Sequence, residues 1–146
     1  MVFKGEYEHT IDPKGRMFLP AKYRDAMGDS IVLIKWPYRR CLYAMSQEEF
    51  SRFSSSLDNV PLTDEAGQDV MRKIYSKSLD VEMDAQKRIL IPQGFRVFAG
   101  LEKDVIVAGV RDHLEIWNRQ SYYEADGSDD DLRSAMNSLR GRGYSV

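Results

Sequence analysis

Cysteine is nearly absent: Cys41 stands alone among 146 residues, which excludes an internal disulfide. It lies in the apolar run Cys41-Leu42-Tyr43-Ala44-Met45, where a small core residue is expected rather than a nucleophile. Histidine is almost as scarce. His9 and His113 both sit inside apolar alternation, and no Cys or carboxylate cluster stands with them at metal-ligand spacing. Glu115 lies two residues from His113, on the same face of a strand, a pair as readily structural as chemical. Gly5, Gly15, Gly28 and Gly67 are isolated, so neither a nucleophile elbow nor a phosphate-cradling loop is present. These gaps argue against an enzyme, because an active site needs a convergent constellation. No metal, no cofactor and no small-molecule substrate is expected. No apolar run approaches the length of a membrane span, and Met1-Val2-Phe3-Lys4 leads directly into a strand-like pattern. A cytoplasmic protein with no membrane contact is therefore expected. Basic excess is missing too: 21 Lys and Arg against 23 Asp and Glu leave a net charge of −2. That argues against a globally basic nucleic-acid binder, and leaves the distribution of charge to decide.

What the chain does have is a repeat. Shifted by 72 positions (84 − 12 = 72), Asp12, Arg16, Pro20, Arg24 and Gly28 fall on Asp84, Arg88, Pro92, Arg96 and Gly100. Two copies are too few for a solenoid and point to a pseudo-dimer in which each half supplies equivalent elements to one core. Ahead of each copy, Tyr7, His9 and Ile11, and then Leu79, Val81 and Met83, alternate with polar residues at the period of a half-buried strand. After it come Met17-Phe18-Leu19 and Ile89-Leu90-Ile91, short apolar runs closed by proline. Asp12-Pro13-Lys14-Gly15 suits a tight turn, since Asp bonds the backbone two residues on, Pro presets φ and Gly accepts a left-handed conformation. Each copy is expected to be a hairpin with an Arg just past its tip. The second tip, Asp84-Ala85-Gln86-Lys87, lacks Pro and Gly, so Lys87 is expected to carry a positive φ.

The rest of the chain follows the same order twice. Pro20 and Pro92 start short helices that stop at Gly28 and Gly100. Strands are expected over 31–34 and 41–45, and again over 105–108 and 113–117, with a two-residue insertion near Leu101-Glu102 compensated before His113. Between the first pair, Lys35-Trp36-Pro37-Tyr38-Arg39-Arg40 mixes aromatics with cations, a composition that suits base stacking and phosphate gripping as well as plain solubility. Ser46 opens a capping box for a helix with a Phe50, Phe53 and Leu57 stripe, and Thr63 is placed to cap a second carrying Val70, Met71, Ile74 and Tyr75. Asn118 can cap a last short helix through Tyr123. The expected division is a first unit over 6–49, a helical linker over 50–77, a second unit over 78–121, and a flexible solvated tail over 124–146.

The doubled D-x-x-x-R, each followed by an apolar run, Pro and a short helix, resembles the MraZ family. The resemblance covers about residues 1–123 and includes Gly28-Asp29, Cys41-Leu42-Tyr43, Gly100-Leu101-Glu102-Lys103 and His113-Leu114-Glu115-Ile116-Trp117. It implies a mainly β fold with short helices (α+β), in which two pseudo-repeats form a SpoVT/AbrB-like swapped-hairpin barrel. It also implies a DNA-binding bacterial transcription regulator, nucleoid-associated, acting on repeated sites upstream of the division and cell-wall gene cluster, with repression expected. A ring-like homo-oligomer is associated with the family.

An Arg leaving a rigid tip can donate bidentately to phosphate or to guanine in the major groove of double-stranded DNA. Arg16 and Arg88 are the candidates for this role. Lys14, Lys87, Lys22, Arg24 and Arg96 are candidate phosphate contacts that position without specifying. Asp12 and Asp84 either fix the turns or orient the two Arg side chains. On the residues alone, an internal ion pair with those Asp residues explains Arg16 and Arg88 equally well, and the resemblance favours DNA. The alternative is an oligomeric scaffold that binds no DNA, which would not require Arg at equivalent places in both tips.

Overall fold

The computed structural model describes residues 2–146. In chain order the first unit supplies β1 (Phe3–Thr10), β2 (Arg16–Phe18), a 3-10 turn leading into α1 (Arg24–Met27), β3 (Ser30–Lys35) and β4 (Leu42–Ser46). Helices α2 (Gln47–Ser54) and α3 (Glu65–Tyr75) follow. The second unit supplies β5 (Ser78–Glu82), β6 (Arg88–Leu90), α4 (Gln93–Ala99), β7 (Asp104–Arg111), β8 (His113–Asn118) and α5 (Arg119–Asp126), before α6 (Asp129–Gly141). The class is α+β.

The two units exchange strands. A six-stranded antiparallel sheet runs β1-β7-β8-β4-β3-β5, so each unit's first strand pairs with the other's third. That order is unchanged when β1 and β5, β3 and β7, and β4 and β8 trade places. The registers obey the same symmetry. At the centre Tyr43 faces Glu115, and in a separate two-stranded ribbon Met17 faces Ile89, each pair being 72 apart (115 − 43 and 89 − 17). A pseudo-twofold axis thus passes through both. The six-strand ladder ends at β1 and β5 without closing on itself.

Each expected hairpin is opened by this exchange. The chain does reverse: the Asp12 N–H donates to the Arg16 carbonyl at 2.9 Å, and the Asp84 N–H to that of Arg88 at the same distance. Beyond that rung β1 leaves for β7 and β2 for β6. The cause is burial, because Met17, Leu19, Ile89 and Ile91 all point inward and are at most 1% exposed. Residues from both units meet there in one cluster, with Leu33, Leu42 and Tyr23 from the first packed with Val107, Leu114 and Ile116 from the second. Tyr23 keeps its hydroxyl satisfied in that core by accepting from the Lys4 N–H and donating to the Lys4 carbonyl. A smaller apolar cluster on the sheet's other face, Val32, Ile34 and Met45, carries Phe50 of α2 and the ring of Trp36. Tyr43 there stacks on Trp36 at 4.2 Å and on His113 at 4.0 Å.

Cys41 is fully buried, and burial pushes its thiol up to about 12, so it remains a protonated core residue. Two boundaries differ from expectation. Asp64, rather than Thr63, caps α3, accepting from the Gly67 N–H at 2.9 Å. Residues 124–146, expected as a solvated tail, are solvated but not irregular. Ser128 and Asp131 form a reciprocal capping box that starts α6, placing Asp129, Asp130 and Asp131 at its electropositive end, and none of the helix is buried.

Lys87 adopts φ 65, where an L side chain is strained, while Gly15 holds the equivalent place at φ 90. Lys87→Gly is expected to raise stability by about 0.5–1 kcal/mol, relief of strain outweighing the extra freedom of the unfolded chain. A thermal midpoint that stays put or falls would remove strain as a feature of this turn.

Candidate nucleic-acid interface

The ribbon of β2 and β6 is three residues long on each side, with Arg16 opposite Leu90 and Phe18 opposite Arg88. Because strand side chains alternate, Met17 and Ile89 go to the core, and Arg16, Phe18, Arg88 and Leu90 share the outer face. Phe18 and Leu90 are 41% and 52% exposed, an unusual place for large apolar groups unless something covers them. The two Arg residues are diagonal neighbours, about 7–8 Å apart at the backbone, or roughly two base steps of about 3.4 Å.

Each Arg is held in the same way. The Asp12 carboxylate accepts from the N–H groups of Lys14 and Arg16 through Oδ1, both at 2.9 Å, and from Arg16 Nε through Oδ2 at 2.7 Å. Asp84 repeats the arrangement with the N–H groups of Gln86 and Arg88 and with Arg88 Nε, all at 2.9 Å. Turn fixing and Arg orienting are therefore one device: a single carboxylate closes the turn and holds the guanidinium plane. Among the described residues, nothing accepts from the terminal nitrogens of either guanidinium. A planar two-pronged donor remains at each end of the ribbon.

The Arg16 N–H, with help from the Arg16 side chain and the Lys14 N–H, holds the Asp12 carboxyl below the usual carboxylate range. The N–H and side chain of Arg88 do the same for Asp84. A carboxyl depressed in the folded state stabilises the fold above its unfolded pKa of about 3.9, and that stabilisation is lost as pH falls through the lower folded value. Thermal midpoints between about pH 5 and pH 2 should therefore fall more steeply for the wild type than for Asp12→Asn/Asp84→Asn, which keeps an acceptor but no charge. Superimposable profiles would contradict this.

A family model described as "MraZ protein, putative antitoxin-like" matches residues 2–73 and, a second time, 74–135. The chain belongs to the MraZ family. It is 39% identical over 128 residues to "Transcriptional regulator MraZ" of Acetivibrio thermocellus, covering 88% of this chain and 89% of that one. A protein of the same name from Clostridium beijerinckii is 38% identical over 141 residues, covering 94% and 99%. Another from Ligilactobacillus salivarius is 38% identical over 139 residues, covering 92% and 96%. The two MraZ matches divide the chain inside α3, next to the boundary between the exchanged units.

Other candidate residues of this MraZ chain are placed unequally around the ribbon. Arg24 and Arg96 do not project freely: each donates from Nε to a backbone carbonyl, Leu19 and Ile91 respectively, at 2.9 Å. They thereby tie α1 and α4 to the ends of the ribbon, and Arg24 also lies over Phe18 at 5.1 Å. A Cβ on Gly15 would come within 2.9 Å of the Arg96 guanidinium carbon, which can move aside, and 3.0 Å of the Ile91 carbonyl oxygen, which is backbone. Lys14 is exposed at that tip, Lys22 lies over the Tyr23 ring at 5.6 Å, and Lys87 is 3.7 Å from Asp29. His113 and Glu115 lie apart from this face. Glu115 accepts from Trp117 Nε1 at 2.8 Å and His113 Nδ1 is 2.8 Å from Asp112, so the pair belongs to the structural network on the sheet. Among the described residues no group of three or more His, Cys, Asp or Glu is arranged to hold a metal ion, and no helix is long and apolar enough to cross a membrane.

Sequence reasoning missed the ribbon itself. Its signal is the in-out-in alternation of Met17-Phe18-Leu19 and Ile89-Leu90-Ile91, which puts one apolar side chain per run on the same outer face as an Arg.

Proposed function

We propose that this chain is a DNA-binding transcription regulator whose β2–β6 ribbon enters the major groove, which is wide enough to admit a two-stranded ribbon. The observation that carries the reading is the pair of Arg side chains, each with Nε fixed by an Asp and its terminal nitrogens unengaged, on one exposed face. Arg16 and Arg88 donate to guanine edges or phosphates, and Phe18 and Leu90 supply apolar contact of the kind a thymine methyl takes. Lys14, Lys22 and Lys87 hold the flanking phosphates, while the remaining guanidinium nitrogens of Arg24 and Arg96 add to the same field. Homologues named as transcriptional regulators support the same reading. Its targets are repeated sites upstream of the division and cell-wall gene cluster, which it represses, and its place is the cytoplasm at the nucleoid.

One ribbon touches few phosphates and binds weakly alone, whereas copies linked on evenly repeated sites gain about 10²- to 10⁴-fold in avidity without new contacts. The working form is accordingly a ring-like homo-oligomer. Gel shift on promoter duplexes with one and with several direct repeats tests this, and tight binding is expected only to the repeated site. Full affinity for a single repeat by a sedimenting monomer would remove the oligomer, and no preference over competitor DNA would remove sequence reading.

A further inference from the structure

The ribbon face is shared almost equally by the two units, but one basic surface is not. β3 and β4 are separated by residues 36–41, whereas β7 and β8 are separated by Asp112 alone. The longer connection runs against the end of α3 and against α4, making a groove lined by Lys35, Arg39, Arg40, Lys73 and Lys77. Pro37, Tyr38 and Phe98 complete it, and no acidic residue lines it. Among the described residues none of these five cations forms a salt bridge, although Arg52, Arg72, Arg119 and Arg133 elsewhere on the surface all do.

A charged loop is most often only a solvated one, but here two of the five side chains, Lys35 and Arg40, are held. The Lys35 ammonium lies 4.9 Å from the centre of the Phe95 ring and the Arg40 guanidinium 5.2 Å from that of Phe98, both rings on α4. The frame beneath is fixed as well, since the Lys35 N–H donates to the Lys77 carbonyl at 2.9 Å and joins the end of α3 to β3. Tyr38 stands 78% exposed among these cations, touching only the edge region of Trp36 at 5.9 Å between ring centres and leaving most of its ring open. Five cations without acidic partners, two of them seated on aromatic rings, beside an exposed ring match a phosphodiester backbone, which offers evenly spaced charge with sugar and base surfaces next to it. α4 connects the two surfaces, separated from β6 by two residues and presenting Phe98 to the groove and Phe95 to the Lys35 ammonium.

We propose that this groove is a second DNA-contacting surface, which grips the phosphodiester backbone flanking the ribbon's site. The proposal rests on the DNA-binding reading of the ribbon and adds a sequence-independent contact to it. The chemistry is electrostatic, so each phosphate gripped displaces counterions and steepens the dependence of affinity on salt. A groove for an acidic segment of another protein is the competing occupant.

The test is fluorescence anisotropy with the full chain on a 30-base-pair duplex of unrelated sequence, from 50 to 200 mM salt. Lys73→Ala/Lys77→Ala, at two exposed positions, is expected to reduce the slope of log affinity against log salt by about 1.8 and to weaken binding roughly 10- to 30-fold at physiological salt. Lys73→Arg/Lys77→Arg keeps the charge and should keep the slope. An Ala variant with the wild-type slope overturns the groove, as does a wild type that binds no duplex at 50 mM salt. If that variant keeps the duplex slope and loses binding to poly-glutamate, the groove belongs to an acidic protein and the proposal falls. Arg16→Ala/Arg88→Ala, with the groove intact, separates the two surfaces: it should lose promoter preference yet respond to the added Lys changes on unrelated DNA as the wild type does. Retained promoter preference in that variant would sink the ribbon reading and leave the groove result standing.

Discussion

Arg16→Ala combined with Arg88→Ala is expected to reduce promoter binding to the level of unrelated DNA while the thermal midpoint stays within about a few degrees of wild type. A bidentate Arg–base contact is worth about 1–3 kcal/mol, so two of them put the loss for one chain at roughly 30-fold or more, and an oligomer multiplies it. Stability should hardly respond, for a reason visible at each tip. The Asp12 and Asp84 carboxylates still accept from two backbone N–H groups after the guanidinium is gone, so the turns remain closed. What disappears is one partly exposed ion pair per tip, with Arg side chains 33% and 20% exposed. Such pairs contribute little once solvent screening is counted. Promoter binding unchanged in the double variant would leave Arg16 and Arg88 as structural partners of Asp12 and Asp84, and the scaffold reading would take over. A large fall in midpoint for Arg16→Ala, matched by Asp12→Ala, would point the same way.

The fold was legible where the chemistry is local. Turn residues, helix stops and strand alternation each depend on a few neighbouring side chains, so the 72-residue offset, the Lys87 strain and the Ser46 and Asn118 caps could be read directly. The two-residue shift near Leu101 also reappears in the sheet, where Ser30 pairs with Glu82 and Asp104 with Thr10. Strand partners were not legible from the residues, because alternation shows that β1 is half-buried without saying which edge it completes. The exchange was implied by the family resemblance instead. Of the site, Asp12, Arg16, Asp84 and Arg88 were identifiable by type and spacing, but their joint placement on a ribbon depends on β2 meeting β6 across the pseudo-twofold. Arg24 and Arg96 look like free cations in the sequence, and their backbone acceptors become apparent only when α1 and α4 fold back onto the ribbon. The α6 helix was missed because an acidic run reads as solvated chain, although the Ser128 to Asp131 spacing was there to be used.

Residues 1–50, expressed without the rest of the chain, are expected to be unfolded or self-associated. In the whole protein β1 bonds along its length only to β7, and β2 only to β6, so the fragment leaves both strands without partners. β3 keeps β4 but loses β5, and β4 loses β8. What survives is one hairpin, and a two-stranded hairpin is marginally stable at best in water. The core is divided as well. Ile31, Leu33 and Leu42 of the fragment pack in one cluster with Ile89, Ile91, Val105, Leu114 and Ile116 of the missing half, so separation exposes a complete apolar sheet face. Each such aliphatic side chain returned to water costs about 1.5–3 kcal/mol, and a few suffice to exceed the roughly 5–15 kcal/mol by which a domain is stable. The pseudo-twofold offers the fragment one escape, because two copies could exchange strands with each other as the two units do in the chain. Concentration-dependent association is thus compatible with a shared core, and the decisive measurement is made dilute. A monomeric fragment with a well-dispersed amide spectrum would show that one unit folds alone, and the exchange of β1 and β5 would then be no condition of the fold.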